Sequence, residues 1–315
     1  MKVGVIGTGA MGTNHIRVYN TLKDRCQLTG IFDTDYERAS QVAADFGVTA
    51  FRTVDELLER VEAVSVTVPT SAHFEVGALC ADRGIHVLIE KPMTETLEQG
   101  EMLIHKANKS GVVLQVGHIE LFNPTINVMK NILANEEIIA FEMKRMGPPE
   151  ARNRHSDVVM DLMIHDLYIL LYLLEEDVER IHALGRIYFQ ALKHVSTLLQ
   201  FHSGIIANLT ASQVTEEKVR TLKVVTKDAF IQADLLDRNI LISRSTNFLL
   251  DKASTGYRQH NIVEKVIIPT HEPLRMQLIH FIESIQNGKA PKVAGSDGLR
   301  ALLLAERIRR ELTRA

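Results

Sequence analysis

An α/β fold is predicted for this chain: a doubly wound parallel sheet at the N-terminus, then an α+β domain with an open mixed or antiparallel sheet. Three observations lead there. Short β-branched runs alternate with longer helical patterns up to residue 116, and such alternation builds parallel sheets flanked by helices. A Gly-x-Gly-x-x-Gly stretch at residues 7–12 directly follows the first run. After residue 137 strand-like runs succeed one another, the pattern of an antiparallel or mixed sheet.

The early strands are KVGVI (2–6), CQLTGIF (26–32), AVSVTV (63–68), HVLI (86–89) and VVLQV (112–116). Apolar residues at helical spacing fill 10–23, 35–46, 53–60, 71–83 and 95–110, with Asp35, Thr53 and Ser71 as start signals. One long apolar helix is expected at 157–174, then strands at 180–189, 195–201, 204–212, 220–226, 229–235 and 262–268. Helices at 273–287 and 296–313 close the chain; Pro273 opens the first and Asn287-Gly288 stops it. The change of rhythm divides the chain into a domain at 1–120 and one at 121–315, the last helix being free to pack back on the first domain.

With 315 residues, 45% of them hydrophobic and 24% charged, the chain suits two domains better than one. A net charge of −3 offers no electrostatic reason for a nucleic-acid or membrane partner. Cys26 and Cys80 show no CxxC spacing and the histidines form no ligand cluster, so neither a disulfide framework nor a metal site is expected. No apolar run approaches the roughly 20 residues of a membrane span, and the first residues lack the apolar segment of an export signal. A cytoplasmic location is the expectation.

Gly7, Thr8, Gly9, Ala10, Met11 and Gly12 stand between a strand and a helix, the context in which this motif binds the pyrophosphate of a dinucleotide. Asp33 ends the next strand, 21 residues beyond Gly12, where a carboxylate accepts from ribose hydroxyls and repels a 2′-phosphate. NAD is therefore expected rather than NADP, with Arg38 close enough to pair with a phosphate in another loop arrangement. Thr67 and Pro69 follow the 63–68 strand, with His73 in the next helix's first turn; open α/β sheets bind ligands at such strand ends.

Glu90 and Lys91 end the strand HVLI and precede Pro92. A lysine there suits polarising a forming carbonyl, and a cis Lys91-Pro92 bond is conceivable. In DVVMDLMIHDLYILLYLL, residues 157–174, Asp161 and His165 are four apart and share one helical face. A carboxylate so placed orients an imidazole or binds a neighbouring hydroxyl. His118 and Asn123, in GHIELFNP, and Arg145, Arg152, Arg154 and His155 before the helix are candidates for substrate contacts, since guanidinium groups suit phosphates.

The glycine loop, Asp33, the Glu-Lys-Pro stretch and the Asp-x-x-x-His helix together resemble the glucose-fructose oxidoreductase/inositol dehydrogenase (Gfo/Idh/MocA) family over nearly the whole chain. The resemblance implies an N-terminal Rossmann domain, a second domain whose open sheet serves oligomer contacts in a homodimer or homotetramer, and oxidation or reduction of a sugar carbon by NAD(P). It implies Lys91, Asp161 and His165 as catalytic: His165 accepts the hydroxyl proton and Lys91 stabilises the oxygen, or the two exchange roles. GHIELFNP and the arginine-containing segment look like the nucleotide-sugar branch, implying oxidation at C3 of a UDP-N-acetyl amino sugar. The alternatives are an inositol or free-sugar dehydrogenase, and a non-catalytic NAD-binding regulator.

Overall fold

The computed structural model describes residues 1–150, 155–245 and 261–313. The chain forms two compact units: Met1–Phe122 with His271–Leu303, and Asn123–Thr270 with Leu304–Ala315. The sequence division assigns 271–303 to the second domain, whereas these residues group with the first unit.

In the first unit β1 (Lys2–Ile6), α1 (Ala10–Asn20), β2 (Gln27–Phe32), α2 (Tyr36–Phe46), β3 (Thr49–Ala50), α3 (Val54–Leu58), β4 (Ala63–Val66), α4 (Thr70–Asp82), β5 (His86–Glu90), α5 (Leu97–Ser110) and β6 (Leu114–Gly117) alternate. The strands are all parallel in the order β3-β2-β1-β4-β5-β6. Strand order reverses between β1 and β4, and ligands of doubly wound sheets bind at the carboxyl ends beside that point. Asp35 and Thr53 cap their helices by accepting from the amides of Arg38 and Glu56. Ser71 does not cap; α4 begins at Thr70, behind Pro69. β3, two residues long, is too short for a sequence pattern to betray.

The second unit contains α6 (Pro124–Leu133), β7 (Ile138–Met146), a π-helical turn at Val159–Met163 leading into α7 (Ile164–Leu174), β8 (Val178–Tyr188), β9 (Ala191–Phe201), β10 (Ile206–Ser212), β11 (Val219–Thr226), β12 (Ala229–Asp234), β13 (Asn239–Ser245) and β14 (Asn261–Val266). The sheet order is β14-β13-β12-β11-β7-β10-β9-β8, with β7 and β10 parallel and the other neighbours antiparallel. The sequence reading passes over β7 and β13. β7 alternates correctly, burying Phe141 and Met143, but Glu142, Lys144 and Arg145 interrupt its apolar character.

α8 (Pro273–Gln286) starts at Pro273 and stops at Asn287, followed by Gly288 at φ 60°. Its Leu278, Phe281 and Ile282 are wholly buried with Val3, Val5 and Ile16 in the first unit's core; each such side chain contributes about 1.5–3 kcal/mol. α9 (Gly295–Leu312) ends the described chain. Among the described residues no helix is long and apolar enough to cross a membrane.

Candidate active site

The turn between β1 and α1 is built for close approach. Gly7 sits at φ 94°, and a Cβ there would stand 2.8 Å from the Thr67 carbonyl oxygen; a Cβ on Gly12 would stand 1.9 Å from the Gly7 oxygen. Only glycine satisfies both positions. A Cβ on Gly9, by contrast, would meet nothing within 4 Å, so the space in front of the helix N-terminus is open to a ligand. Thr67 ties the strands together by donating to the carbonyls of Ile6 at 3.1 Å and Gly7 at 2.8 Å.

A cavity of about 610 Å³ opens there, lined among others by Gly7, Gly9, Asp33, Arg38, Thr67 and Pro69. Asp33 Oδ2 accepts from the Thr8 amide at 2.7 Å and hydroxyl at 2.9 Å; Oδ1 accepts from the Asp35 amide at 2.9 Å and Arg38 Nη2 at 2.6 Å. Burial pushes the Asp33 carboxyl up, but these hydrogen bonds outweigh it and hold its pKa below the ordinary carboxylate value. Open space at Gly9, amides at a helix N-terminus and an ionised strand-end carboxylate fit a dinucleotide. Ala10 and Met11 form the first helical residues behind Gly9.

At the end of β5 the Lys91-Pro92 bond is cis, and Lys91 is partly buried. Glu90 accepts from the Lys91 amide at 3.3 Å and meets His15 Nε2 at 3.2 Å. Sequence reading misses His15, three residues after Gly12 and wholly buried in α1; its signal is a histidine on the inward face of the helix that starts at the glycine loop. His118 lies 1% exposed at the end of β6. Burial, reinforced by the Lys91 charge, pulls its pKa down to about 3, so the imidazole is neutral at ordinary pH and closed to solvent rather than presented to substrate.

Several expected contacts resolve into structural ones. His73 is 1% exposed, with Nδ1 2.8 Å from the Pro92 carbonyl oxygen and Nε2 3.0 Å from that of Val68. It stands between the loops after β4 and β5, and burial lowers its pKa, so the neutral ring donates to one of the two carbonyls at a time. Asn123 is a buried cap of α6, accepting from the Thr125 amide at 3.0 Å. Arg145 is 3% exposed, and its Nε donates to Asp166 Oδ1 at 2.8 Å. A guanidinium committed to a buried carboxylate is not placed to meet a solvent-borne diphosphate. His155 stands exposed in a turn, while Arg152 and Arg154 lie outside the described residues.

The helix holding Asp161 and His165 departs from the α geometry on which the four-residue spacing rests. Asp161 falls in the π turn, a feature often found at functional sites, and His165 is the second residue of α7. Asp161 Oδ2 accepts from Gln213 Nε2 at 2.7 Å, and His165 Nδ1 stands 2.8 Å from the Tyr168 hydroxyl. Gln213, brought in by the sheet, carries no local sequence signal.

This fold and this cofactor turn define a class: nicotinamide-dinucleotide oxidoreductases with a Rossmann unit and a second, mixed-sheet unit. A profile described as an oxidoreductase family with an NAD-binding Rossmann fold, Gfo/Idh/MocA, matches residues 1–118, and the family's C-terminal domain matches 139–232. The chain belongs to the Gfo/Idh/MocA family. It is 36% identical to the UDP-N-acetylglucosamine 3-dehydrogenase of Acidithiobacillus ferrooxidans over 77% of this chain and 76% of that protein. A solved structure of an enzyme of that name from the same organism superposes with TM-score 0.91 at 31% identity, covering 99% of this chain and 97% of that one. The scyllo-inositol 2-dehydrogenase (NAD(+)) of Bacillus subtilis is 26% identical over 94% of this chain and 90% of its own length.

Proposed function

We propose that the protein is an NAD-dependent dehydrogenase that oxidises the C3 hydroxyl of a UDP-N-acetyl amino sugar. The observation carrying this reading is the glycine-loop cavity lined by an ionised Asp33, in a chain similar to UDP-N-acetylglucosamine 3-dehydrogenase through most of its length. Asp33 favours NAD, because its charge opposes a 2′-phosphate and pairs with Arg38. Gly7, Gly9 and Gly12 hold the pyrophosphate side. When bound, NAD supplies the hydride acceptor.

Lys91 donates to the sugar oxygen and stabilises negative charge on it, while His165 receives the hydroxyl proton. Asp161 binds a neighbouring sugar hydroxyl. The exchange of roles between Lys91 and His165 remains the alternative within this scheme. The enzyme is assigned to the cytoplasm as a homodimer or homotetramer, an assembly supported by the exposed Leu184, Leu198 and Ile206 on the second sheet.

The test is NADH formation from UDP-N-acetylglucosamine with the purified protein, beside myo- and scyllo-inositol. Lys91→Ala and His165→Ala are expected to lower turnover by about 10²–10⁴ while NAD still binds. Oxidation of the inositols with neither turnover nor binding of UDP-sugars would replace this reading by a free-polyol dehydrogenase. The commitment of Arg145 to Asp166 favours that second reading, since it removes one cation expected for a diphosphate.

A further inference from the structure

The polar side chains behind Asp161 form a chain that runs between two neighbouring strands, β9 and β10, of the second unit's sheet. Lys193, on β9, is 3% exposed. Its ammonium donates to the Ser156 carbonyl at 2.8 Å and to Gln213 Oε1 at 2.8 Å. Gln213, which follows β10 and is also 3% exposed, donates through Nε2 to Asp161 Oδ2 at 2.7 Å and to the Ser156 hydroxyl at 3.0 Å. The backbones are joined as well, with the Gln213 amide donating to the Lys193 carbonyl at 2.8 Å.

We propose that Lys193 is a positioning residue that fixes the carboxylate of Asp161 by setting which end of the Gln213 amide faces it. An ammonium only donates, and an ionised carboxylate only accepts. A glutamine between them satisfies both in a single orientation, oxygen toward the lysine and nitrogen toward the aspartate. Without the lysine, a half-turn of the amide brings oxygen against oxygen, and the Asp161 carboxylate loses its directed donor. The same ammonium grips Ser156, just before the helix start.

The other end of that start is held independently. Asp157 accepts from the Val159 amide at 2.7 Å and from Arg309 Nε at 2.9 Å. The π turn carrying Asp161 is thus clamped from two sides. Burying an ammonium is costly, and a methionine would occupy similar volume without that cost. Burial indeed pulls the Lys193 pKa down, opposed by the charges of Asp161 and Asp157. A cation kept there against its own desolvation is explained by the orientation it imposes on the amide.

The inference rests on Asp161 belonging to the catalytic set, so Asp161→Ala is assayed beside it in the full-length protein, with UDP-N-acetylglucosamine, or scyllo-inositol if that is the sugar oxidised. Lys193→Met and Gln213→Glu are expected each to lower kcat by about tenfold to a hundredfold, the cost of misplacing a group by about an ångström. The dissociation constant for NAD should stay close to wild type. Gln213→Glu keeps a partner for Lys193 while replacing the donor to Asp161 with a like charge, so it reports even if Lys193→Met folds poorly. Wild-type kcat in Gln213→Glu while Asp161→Ala is inactive would overturn the inference and leave the proposed function standing. A loss confined to thermal midpoint or NAD affinity would also overturn it, as a structural role. Full turnover in Asp161→Ala would instead remove the catalytic assignment beneath it.

Discussion

The neutral, buried His118 makes a quantitative prediction. Its pKa falls from an ordinary 6.5 to about 3 because burial, and then the Lys91 charge, disfavour the imidazolium. The unfolded chain takes up a proton near pH 6.5 and the folded chain does not, so this group's contribution to stability is fully present above that value and is lost as pH falls toward the folded pKa. From about pH 7 to pH 5 an unfolded histidine goes from about a quarter protonated to almost fully protonated, which costs the folded state about 2 kcal/mol. Replacing His118 by Asn removes that share and leaves every other titrating group in place. Urea unfolding of wild type and His118→Asn at the two pH values should therefore show a stability loss about 2 kcal/mol smaller in the variant. Imidazole signals from histidine-labelled protein provide the direct check. A His118 resonance titrating near 6.5 in the folded state, or equal pH dependence in the two proteins, would refute the reasoning.

Other consequences follow from the same packing. Asp166→Ala leaves the Arg145 guanidinium buried without this carboxylate and should cost about 3–5 kcal/mol, whereas replacing both residues with apolar ones should cost much less; chemical denaturation of the single and double variants measures the difference. Gly12→Ala forces a methyl to 1.9 Å from the Gly7 oxygen, so NAD binding, read by cofactor fluorescence, should fall by at least about tenfold, some 1.4 kcal/mol or more. Asp33→Ser releases Arg38 from its shorter ion pair, leaving the one to Asp35, and removes the repelling charge, so the ratio of NADP to NAD affinity should rise by about tenfold or more. Phe281→Ala empties a wholly buried position and should destabilise the protein by about 3–5 kcal/mol, seen as a lowered thermal midpoint.

The first sheet is largely legible in the sequence because each of its longer strands is a short, nearly continuous apolar run between helical patterns. β7 is not, since its solvent side carries Glu142 and Lys144 and its partners β10 and β11 arrive more than fifty residues later. Among the candidate site residues the glycine turn and Asp33 stand together in the structure, joined through Thr8. His73, Asn123 and Arg145 are polar residues in suggestive places whose partners turn out to be the Pro92 and Val68 carbonyls, the Thr125 amide and Asp166. A single sequence does not distinguish a polar group aimed at a ligand from one satisfied within the fold.

Sequence alone determined what depends on a few adjacent residues: a turn that admits only glycine, a carboxylate at the next strand end, and the rhythm of helices and strands. Tertiary structure alone decided which distant groups meet. His15 reaches Glu90 from 75 positions away, and Gln213 reaches Asp161 from 52. Backbone geometry is a local property of the residues that adopt it, whereas a buried hydrogen bond belongs to a pair that only strand register and helix packing bring together.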